Sequence, residues 1–288
     1  MYVPTMTRAE FIDSMTREVL SSLPPVSQET AMEMLVERVA NLSTSQKQLV
    51  ALARGAAFNP EIVLVMDEAT SALDGPSEKL VQEAINNIPD ATFEVIVIDD
   101  ASTDHTASLL RNNTNVYDQF IKLSKQSGKG GAILRGLEKA SGDFILFQDA
   151  DLEYDPRDYS KLLMPIFEFD ADVVVGSRLI APQWTRVHYF WHLIGNRFIT
   201  LFFNLLNNTT FSDIYSCYLV YRKSLFSLKK LKTRGWEQHG EILSLAVKNG
   251  HVFYEVPISY RGRAYDEGKK IHARHVFKIL YTLLVTRC

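Results

Sequence analysis

Two cysteines in 288 residues, Cys217 and Cys288, are too few for a disulfide framework and fit a reducing compartment. A dominant charge is missing as well. There are 31 basic and 34 acidic side chains, a net charge of -3, so nothing in the balance points to nucleic acid. No uncharged apolar run reaches about 18 residues, and no segment reads as a bilayer-spanning helix. The amino terminus has Glu10 and Asp13 and no long apolar core, which argues against a secretory signal. The histidines show no metal-ligand spacing. No stretch reads G-x-x-x-x-G-K-[ST], since Gly128-Lys129 lacks both the upstream glycine and the following Ser or Thr, and no working ATP site is expected. Repeats and low-complexity segments are also absent. What is there is an ordinary globular balance, 46% hydrophobic and 23% charged, enough for one large α/β domain or two smaller ones.

The stretch that organises the chain is Phe144-Ile-Leu-Phe-Gln-Asp-Ala-Asp-Leu-Glu-Tyr-Asp-Pro156. Residues 144–147 suit a strand covered on both faces of a parallel sheet. Asp155 then caps a helix that has Pro156 at its first position. Between the two sit Asp149 and Asp151, which point the same way if the backbone is still extended. Carboxylates at the carboxyl end of a parallel strand are a natural seat for Mg²⁺ or Mn²⁺, and the bland alternatives are a solvated loop or a helix cap.

Taken in order, residues 1–60 read as amphipathic helices broken at Ser22-Leu-Pro-Pro25. A β-branched run at 94–98 ends in Asp99-Asp100-Ala-Ser-Thr-Asp-His-Thr106, where Thr103 or Asp104 can cap a helix to about 112. Further strands are expected at 116–123, 144–147, 171–178, 217–221 and 251–260, the last interrupted at Pro257 as an edge strand tolerates. Helices are expected from Gly128 to Ala140, from Pro156, over about 240–248 and over about 273–287. Strands alternating with helices indicate βαβ units, and sites then gather at the carboxyl ends of the strands. Residues 187–206 are apolar and aromatic but carry His188, His192, Asn196, Arg197 and Asn204. They suit either an interfacial helix, beside the last helix, or an ordinary core helix.

Two resemblances follow. Asn41-Leu-Ser-Thr-Ser-Gln-Lys-Gln-Leu-Val-Ala-Leu-Ala-Arg54 with Ile62-Val-Leu-Val-Met-Asp-Glu-Ala-Thr-Ser-Ala-Leu-Asp74 resembles the signature helix, Walker B strand and D-loop of ABC transporter nucleotide-binding domains, over about 41–88. Its signature has Thr and Ser where that family has glycines. From about 93 to 288 the chain resembles family 2 glycosyltransferases, most closely the dolichyl- and polyprenyl-phosphate sugar synthases. The motifs are Ile98-Asp-Asp-Ala-Ser-Thr-Asp104, Gly128-Lys-Gly130, Gln148-Asp-Ala-Asp-Leu-Glu-Tyr-Asp-Pro156, Gly176-Ser-Arg178, Ser212-Asp213 and Asp266-Glu-Gly-Lys-Lys-Ile271.

This second resemblance implies an α/β GT-A fold with a mostly parallel sheet, a nucleotide-sugar donor, a divalent metal (Mg²⁺ or Mn²⁺) and inversion at the anomeric carbon. It implies metal ligation by Asp149 and Asp151, with Glu153 as a third or water-mediated ligand. Asp99, Asp100 and Ser102 fall where such enzymes hold the nucleobase and ribose; the bland alternative for the two aspartates is a cap on the following helix, which Asp104 supplies better. Lys129 and Gly130 fall at the donor phosphates, with the plain loop as alternative. Arg178, Arg263 and Lys269 are candidates to neutralise donor or acceptor phosphate. Asp213 matches the acidic residue near the reaction centre and Glu241 is the second choice; either can instead be a cap or a surface acid. A hydroxyl acceptor needs such a base, whereas a phosphate acceptor is already an anion. Cys217 reads as a small core residue.

The family's usual opening strand, ending in Pro-x-Tyr-Asn-Glu, is absent. The strand 62–66 and a helix over 77–88 stand in its place, so 61–92 is expected to supply the first βα unit of a domain spanning 61–288, with 1–60 as a helical extension. Asp67, Glu68 and Ala69 would then replace the Tyr-Asn-Glu contacts and weaken the base pocket. The expected location is the cytoplasm, or a peripheral seat on the cytoplasmic membrane face. The competing expectation is a weak or inactive chimera whose ABC-like part is an interaction or structural module.

Overall fold

Aliphatic and β-branched runs that alternate with amphipathic stretches bury both faces of a strand only when helices cover the sheet from both sides. The computed structural model describes residues 60–67, 75–88, 91–149, 153–180, 190–262 and 274–287, leaving aside the side chains of 67, 75–78, 115 and 274–275. These belong to the second of two compact units, Asn59–Cys288. All but Pro60 of the expected helical extension over 1–60 lies outside the described residues, as do Asp151, Arg263 and Lys269.

The strands are β1 (Glu61–Asp67), β2 (Thr92–Asp99), β3 (Gln119–Lys122), β4 (Phe144–Asp149), β5 (Val173–Ser177), β6 (Leu219–Arg222) and β7 (Phe253–Pro257). Between and after them run α1 (Gly75–Asn86), α2 (Thr106–Asn112), α3 (Lys129–Leu137), α4 (Tyr159–Phe169), α5 (Phe190–Asn207), α6 (Glu237–Asn249) and α7 (Arg274–Arg287). The strands form one sheet in the order β3-β2-β1-β4-β6-β5-β7. Every pairing is parallel except those of β6, which runs against both β4 and β5.

Residues 62–66 therefore pair inside this sheet, between β2 and β4, and are fully or almost fully buried. The register sets Asp67 beside Asp149, and Asp99 beside Lys122. Alternate residues share a face, so Val63, Val65, Ile96, Ile98, Ile145 and Phe147 join one core with Ala132, Ile133 and Leu137 of α3 and Ile242, Leu243 and Ala246 of α6. Gly136 lets α3 lie close to the sheet, because a Cβ there would stand 2.8 Å from Ile98 Cδ1 and 3.0 Å from Val65 Cγ1. On the other side α4 packs against β5 and β7, and α1 against α4.

Several elements differ in extent from the sequence expectation, for local reasons. The strand expected over 116–123 keeps only Gln119–Lys122, because Asp118 takes the Val95 N–H with its side chain at 2.7 Å, and residues 114–116 form a 3₁₀ turn. The strand expected over 217–221 starts at Leu219, since the Cys217 N–H is donated to the Tyr154 hydroxyl at 3.0 Å. Past β4, Asp155 does cap, accepting from Arg157 N at 3.1 Å, but the first turn is 3₁₀ and α4 begins at Tyr159. The strand expected over 251–260 is shorter, Phe253–Pro257, and lies at the sheet edge with Pro257 as its last residue.

Candidate active site

The strand β4 carries the first functional group out of the core. Gln148 is locked beneath it: its Oε1 accepts from the Tyr159 and Tyr218 hydroxyls, both at 2.8 Å, and its Nε2 donates to the Asp149 carbonyl at 2.6 Å. Asp149, held at the strand's end, accepts from Lys129 Nζ at 2.5 Å. Burial alone would raise the Asp149 pKa, but the Lys129 ammonium, followed by a hydrogen bond from Cys217, outweighs it and keeps the carboxyl below its ordinary value. The same ammonium lies 5.3 Å from the centre of the Trp236 ring, a cation–π distance. One turn further along α6, His239 is pushed down to about 4, by burial first and then by Lys129, so its imidazole is neutral at pH 7. Its Nε2 is buried and has no hydrogen-bond partner among the described residues.

Asp99 and Asp100 have internal partners. Asp99 Oδ1 accepts from Ser102 N at 2.8 Å, and its buried Oδ2 lies 3.7 Å from Lys122 Nζ. Asp100 accepts from Ser127 N at 2.7 Å, Ser127 Oγ at 2.9 Å and Gly128 N at 2.8 Å, fastening the turn that leads into α3. Ala101, which follows them, is held at φ 60, a left-handed conformation unusual for a residue with a Cβ. Asp104 lies one residue before the N-cap of α2, His105, and accepts from Thr106 N at 3.0 Å and from its hydroxyl at 2.5 Å. Gly128 also has positive φ, 75. Gly130 is small for a reason other than an approaching ligand: a Cβ there would stand 2.6 Å from the carbonyl carbon of Arg234.

The second centre joins residues 35 positions apart. Arg178 follows β5, and its Nε and one terminal nitrogen grip the two oxygens of Asp213 at 2.6 and 2.8 Å. The backbone N–H of Arg178 also reaches Asp213 at 3.2 Å. The guanidinium further donates to the Tyr215 carbonyl at 3.2 Å and, more loosely, to the Tyr154 hydroxyl at 3.4 Å, and lies 5.0 Å from the Tyr260 ring. Burial would raise Asp213, but Arg178 outweighs it and holds the carboxyl below its ordinary range. Glu255 on β7 pins the loop beneath, accepting from Ser212 N at 2.9 Å and Asp213 N at 3.0 Å; burial, chiefly, raises its own pKa. Glu153 accepts from the Tyr260 hydroxyl at 2.9 Å. Glu241 is buried in α6 and accepts from Lys232 N, Thr233 N and the Thr233 hydroxyl at 2.9, 3.0 and 2.5 Å.

The structure thus brings Asp149 to Lys129 and Arg178 to Asp213, and gives Asp99, Asp100 and Glu241 loop-holding contacts. Trp236, His239 and Glu255 were not legible as site residues, because none belongs to a local motif; only proximity in the fold marks them. Among the described residues no three His, Cys, Asp or Glu side chains cluster as a metal site. Asp149, already paired with a cation, and the neutral, unpartnered Nε2 of His239 nevertheless fit a divalent metal in their chemistry.

The profile of glycosyl transferase family 2 matches residues 76–228. It therefore takes in α1 from its second residue onward. The UDP-N-acetylglucosamine–dolichyl-phosphate N-acetylglucosaminyltransferase of Methanococcus voltae is 28% identical over 230 residues, 73% of this chain and 92% of the relative. The dolichol-phosphate mannosyltransferase of Pyrococcus furiosus is 27% identical over 215 residues, 70% of this chain and 59% of the relative. Among solved structures, glucosyl-3-phosphoglycerate synthase of Mycobacterium tuberculosis, in complex with Mn²⁺, UDP and phosphoglyceric acid, superposes with a TM-score of 0.56. It is 18% identical and covers 82% of each chain. The fold is the mixed, mostly parallel α/β sheet of GT-A glycosyltransferases.

Proposed function

Because the chain belongs to glycosyl transferase family 2, and so is a glycosyl-transfer enzyme, we propose that it moves a sugar from a nucleoside-diphosphate donor to a polyprenyl phosphate, with inversion. The observation that carries the acceptor is the state of Asp213. Its carboxylate is fully buried and both oxygens are engaged by Arg178, so it is poorly placed to take a proton from a hydroxyl. A phosphate acceptor asks for no such base. The names of the two curated relatives, both acting on dolichyl phosphates, support the same acceptor.

Asp149, with Asp151, is the seat proposed for Mg²⁺ or Mn²⁺, which when bound supplies Lewis-acid stabilisation of the departing diphosphate. Lys129 adds charge at that diphosphate from the first turn of α3, at the positive end of the helix dipole. Of the five donors of Arg178, one terminal N–H is only loosely engaged by Tyr154 and remains for a phosphate oxygen. Asp213 orients that guanidinium. Arg263 and Lys269 complete the proposed acceptor-phosphate set.

Absence of the Pro-x-Tyr-Asn-Glu loop supports a weakened nucleobase contact, worth roughly 1.5–3 kcal/mol for each lost hydrogen bond to a charged group. The alternative, a weak or inactive chimera with an ABC-like module, rests on sequence motifs alone. Polyprenyl phosphates lie in membranes, and the outward faces of α5 and α7 support a peripheral seat on an anionic membrane. No helix among the described residues is long and apolar enough to cross one.

The test is turnover. The full-length protein with Mn²⁺, a short-chain polyprenyl phosphate and either UDP-N-acetylglucosamine or GDP-mannose should give a glycosyl polyprenyl phosphate by mass spectrometry. Chelator or Asp151→Ala should abolish it. Full activity in chelator or in that variant refutes the metal-assisted reading; transfer to soluble hydroxyl compounds alone refutes the acceptor.

A further inference from the structure

The link between β6 and α6 crosses the start of α3, and a carboxylate holds it there. Glu241 accepts from the N–H groups of Lys232 and Thr233 at 2.9 and 3.0 Å, and from the Thr233 hydroxyl at 2.5 Å. Gln238, on the same helix, donates its Nε2 to the Thr233 carbonyl at 2.7 Å. Fixed in this way, the link lays the main chain of Arg234 on Gly130, where a Cβ would stand 2.6 Å from the Arg234 carbonyl carbon. Two residues on, the Trp236 ring lies 5.3 Å from Lys129 Nζ, which is itself 2.5 Å from Asp149. Both Glu241 oxygens are taken up by the link, which leaves the carboxylate poorly placed to serve as a base.

We propose that Glu241 is a positioning residue for the donor. Its carboxylate fixes the link 232–236, and the link holds the glycine turn and Lys129 where the departing diphosphate binds. The donor part rests on the glycosyl-transfer reading; the mechanical coupling between link and turn does not.

Backbone amide exchange, followed by mass spectrometry on the ligand-free full-length protein, reads that coupling directly. Glu241→Gln keeps one accepting oxygen and Glu241→Ala keeps none. Exchange should accelerate by about tenfold or more at 232–236 and also at 127–131, far away in sequence, while β1 and β4 keep wild-type protection. Kinetics on the donor that the wild type uses, UDP-N-acetylglucosamine or GDP-mannose with Mn²⁺, separate positioning from chemistry. Glu241→Gln should raise the donor KM about tenfold with kcat within about twofold and an unchanged pH profile. Gly130→Ala, which pushes the link from the other side, should raise the donor KM with Glu241 intact. Unchanged exchange at 127–131 overturns the proposal. So does a collapse of kcat at constant KM with loss of one limb of the pH profile, which would make Glu241 a base. If the wild type used no nucleotide sugar, the functional reading would fall, while the exchange result would still decide the coupling.

Discussion

Arg178 and Asp213 form a buried pair in which each holds the other's charge, and the cost of separating them is large. Asp213 is fully buried and Arg178 nearly so, with side-chain exposures of 0% and 13%. Removing one partner leaves the other charge without compensation, a loss of about 3–5 kcal/mol. The pH dependence has a definite sign. Asp213 lies below its ordinary value of 3.8, so it stabilises the fold above that pH, and the contribution is lost as pH falls through its lower folded value. In Arg178→Met the carboxyl is raised instead and is neutralised on mild acidification. Urea unfolding should therefore show a loss of about 3–5 kcal/mol at pH 7 that shrinks toward pH 4. A loss under about 1 kcal/mol at pH 7 would mean the pair is solvated, as exposed pairs are.

Among the helices, α5 turns an apolar side outward. Phe190, Trp191, Ile194, Phe198, Leu201 and Leu205 are exposed, Trp191 and Leu205 by about three quarters, and they recur at the spacing of one helical face. Phe277, Tyr281, Leu284 and Val285 do the same on α7, which packs beside α5. Neither helix contains an acidic residue, while Arg197, Lys278 and Arg287 are basic. The inner face of α5 serves the site: Asn204 bonds to Phe211 through both its amide atoms, and Thr200 accepts from Ile214 N, so the loop carrying Asp213 hangs on this helix. Sequence alone left open an interfacial or a core helix, because periodicity shows that two faces differ but not which one meets neighbours. Phe198→Ser with Leu205→Ser should abolish co-sedimentation with phosphatidylglycerol vesicles and leave the melting temperature within about 2 °C, since both side chains are exposed. Undiminished vesicle binding, or none by the wild type, would contradict the membrane seat.

Over the whole molecule, the βα alternation was legible because fully buried parallel strands read as continuous apolar runs, as in 62–66 and 144–147. The pairing of β1 between β2 and β4 was likewise within reach, since one crossover rule links strand, helix and parallel strand. The reversed direction of β6 was not, because burial sets the same residue pattern whichever way a strand runs. At the candidate site, local motifs marked Asp149, Lys129 and Arg178 as candidates. They could not reveal that Arg178 pairs with Asp213, that Gly130 makes room for Arg234, or that Glu255 pins Ser212, because each contact joins segments that only the fold brings together. The central claim is that the end of β4, with Lys129 beside it, receives a metal and a nucleoside diphosphate. Calorimetric titration of UDP and of GDP, with Mn²⁺ or with chelator, into the wild type and Asp149→Asn tests it most directly. The account predicts that one nucleotide binds the wild type only with Mn²⁺ and that Asp149→Asn lowers its affinity by about 100-fold or more, about 2.7 kcal/mol. Binding that is indifferent both to the metal and to Asp149 would contradict it.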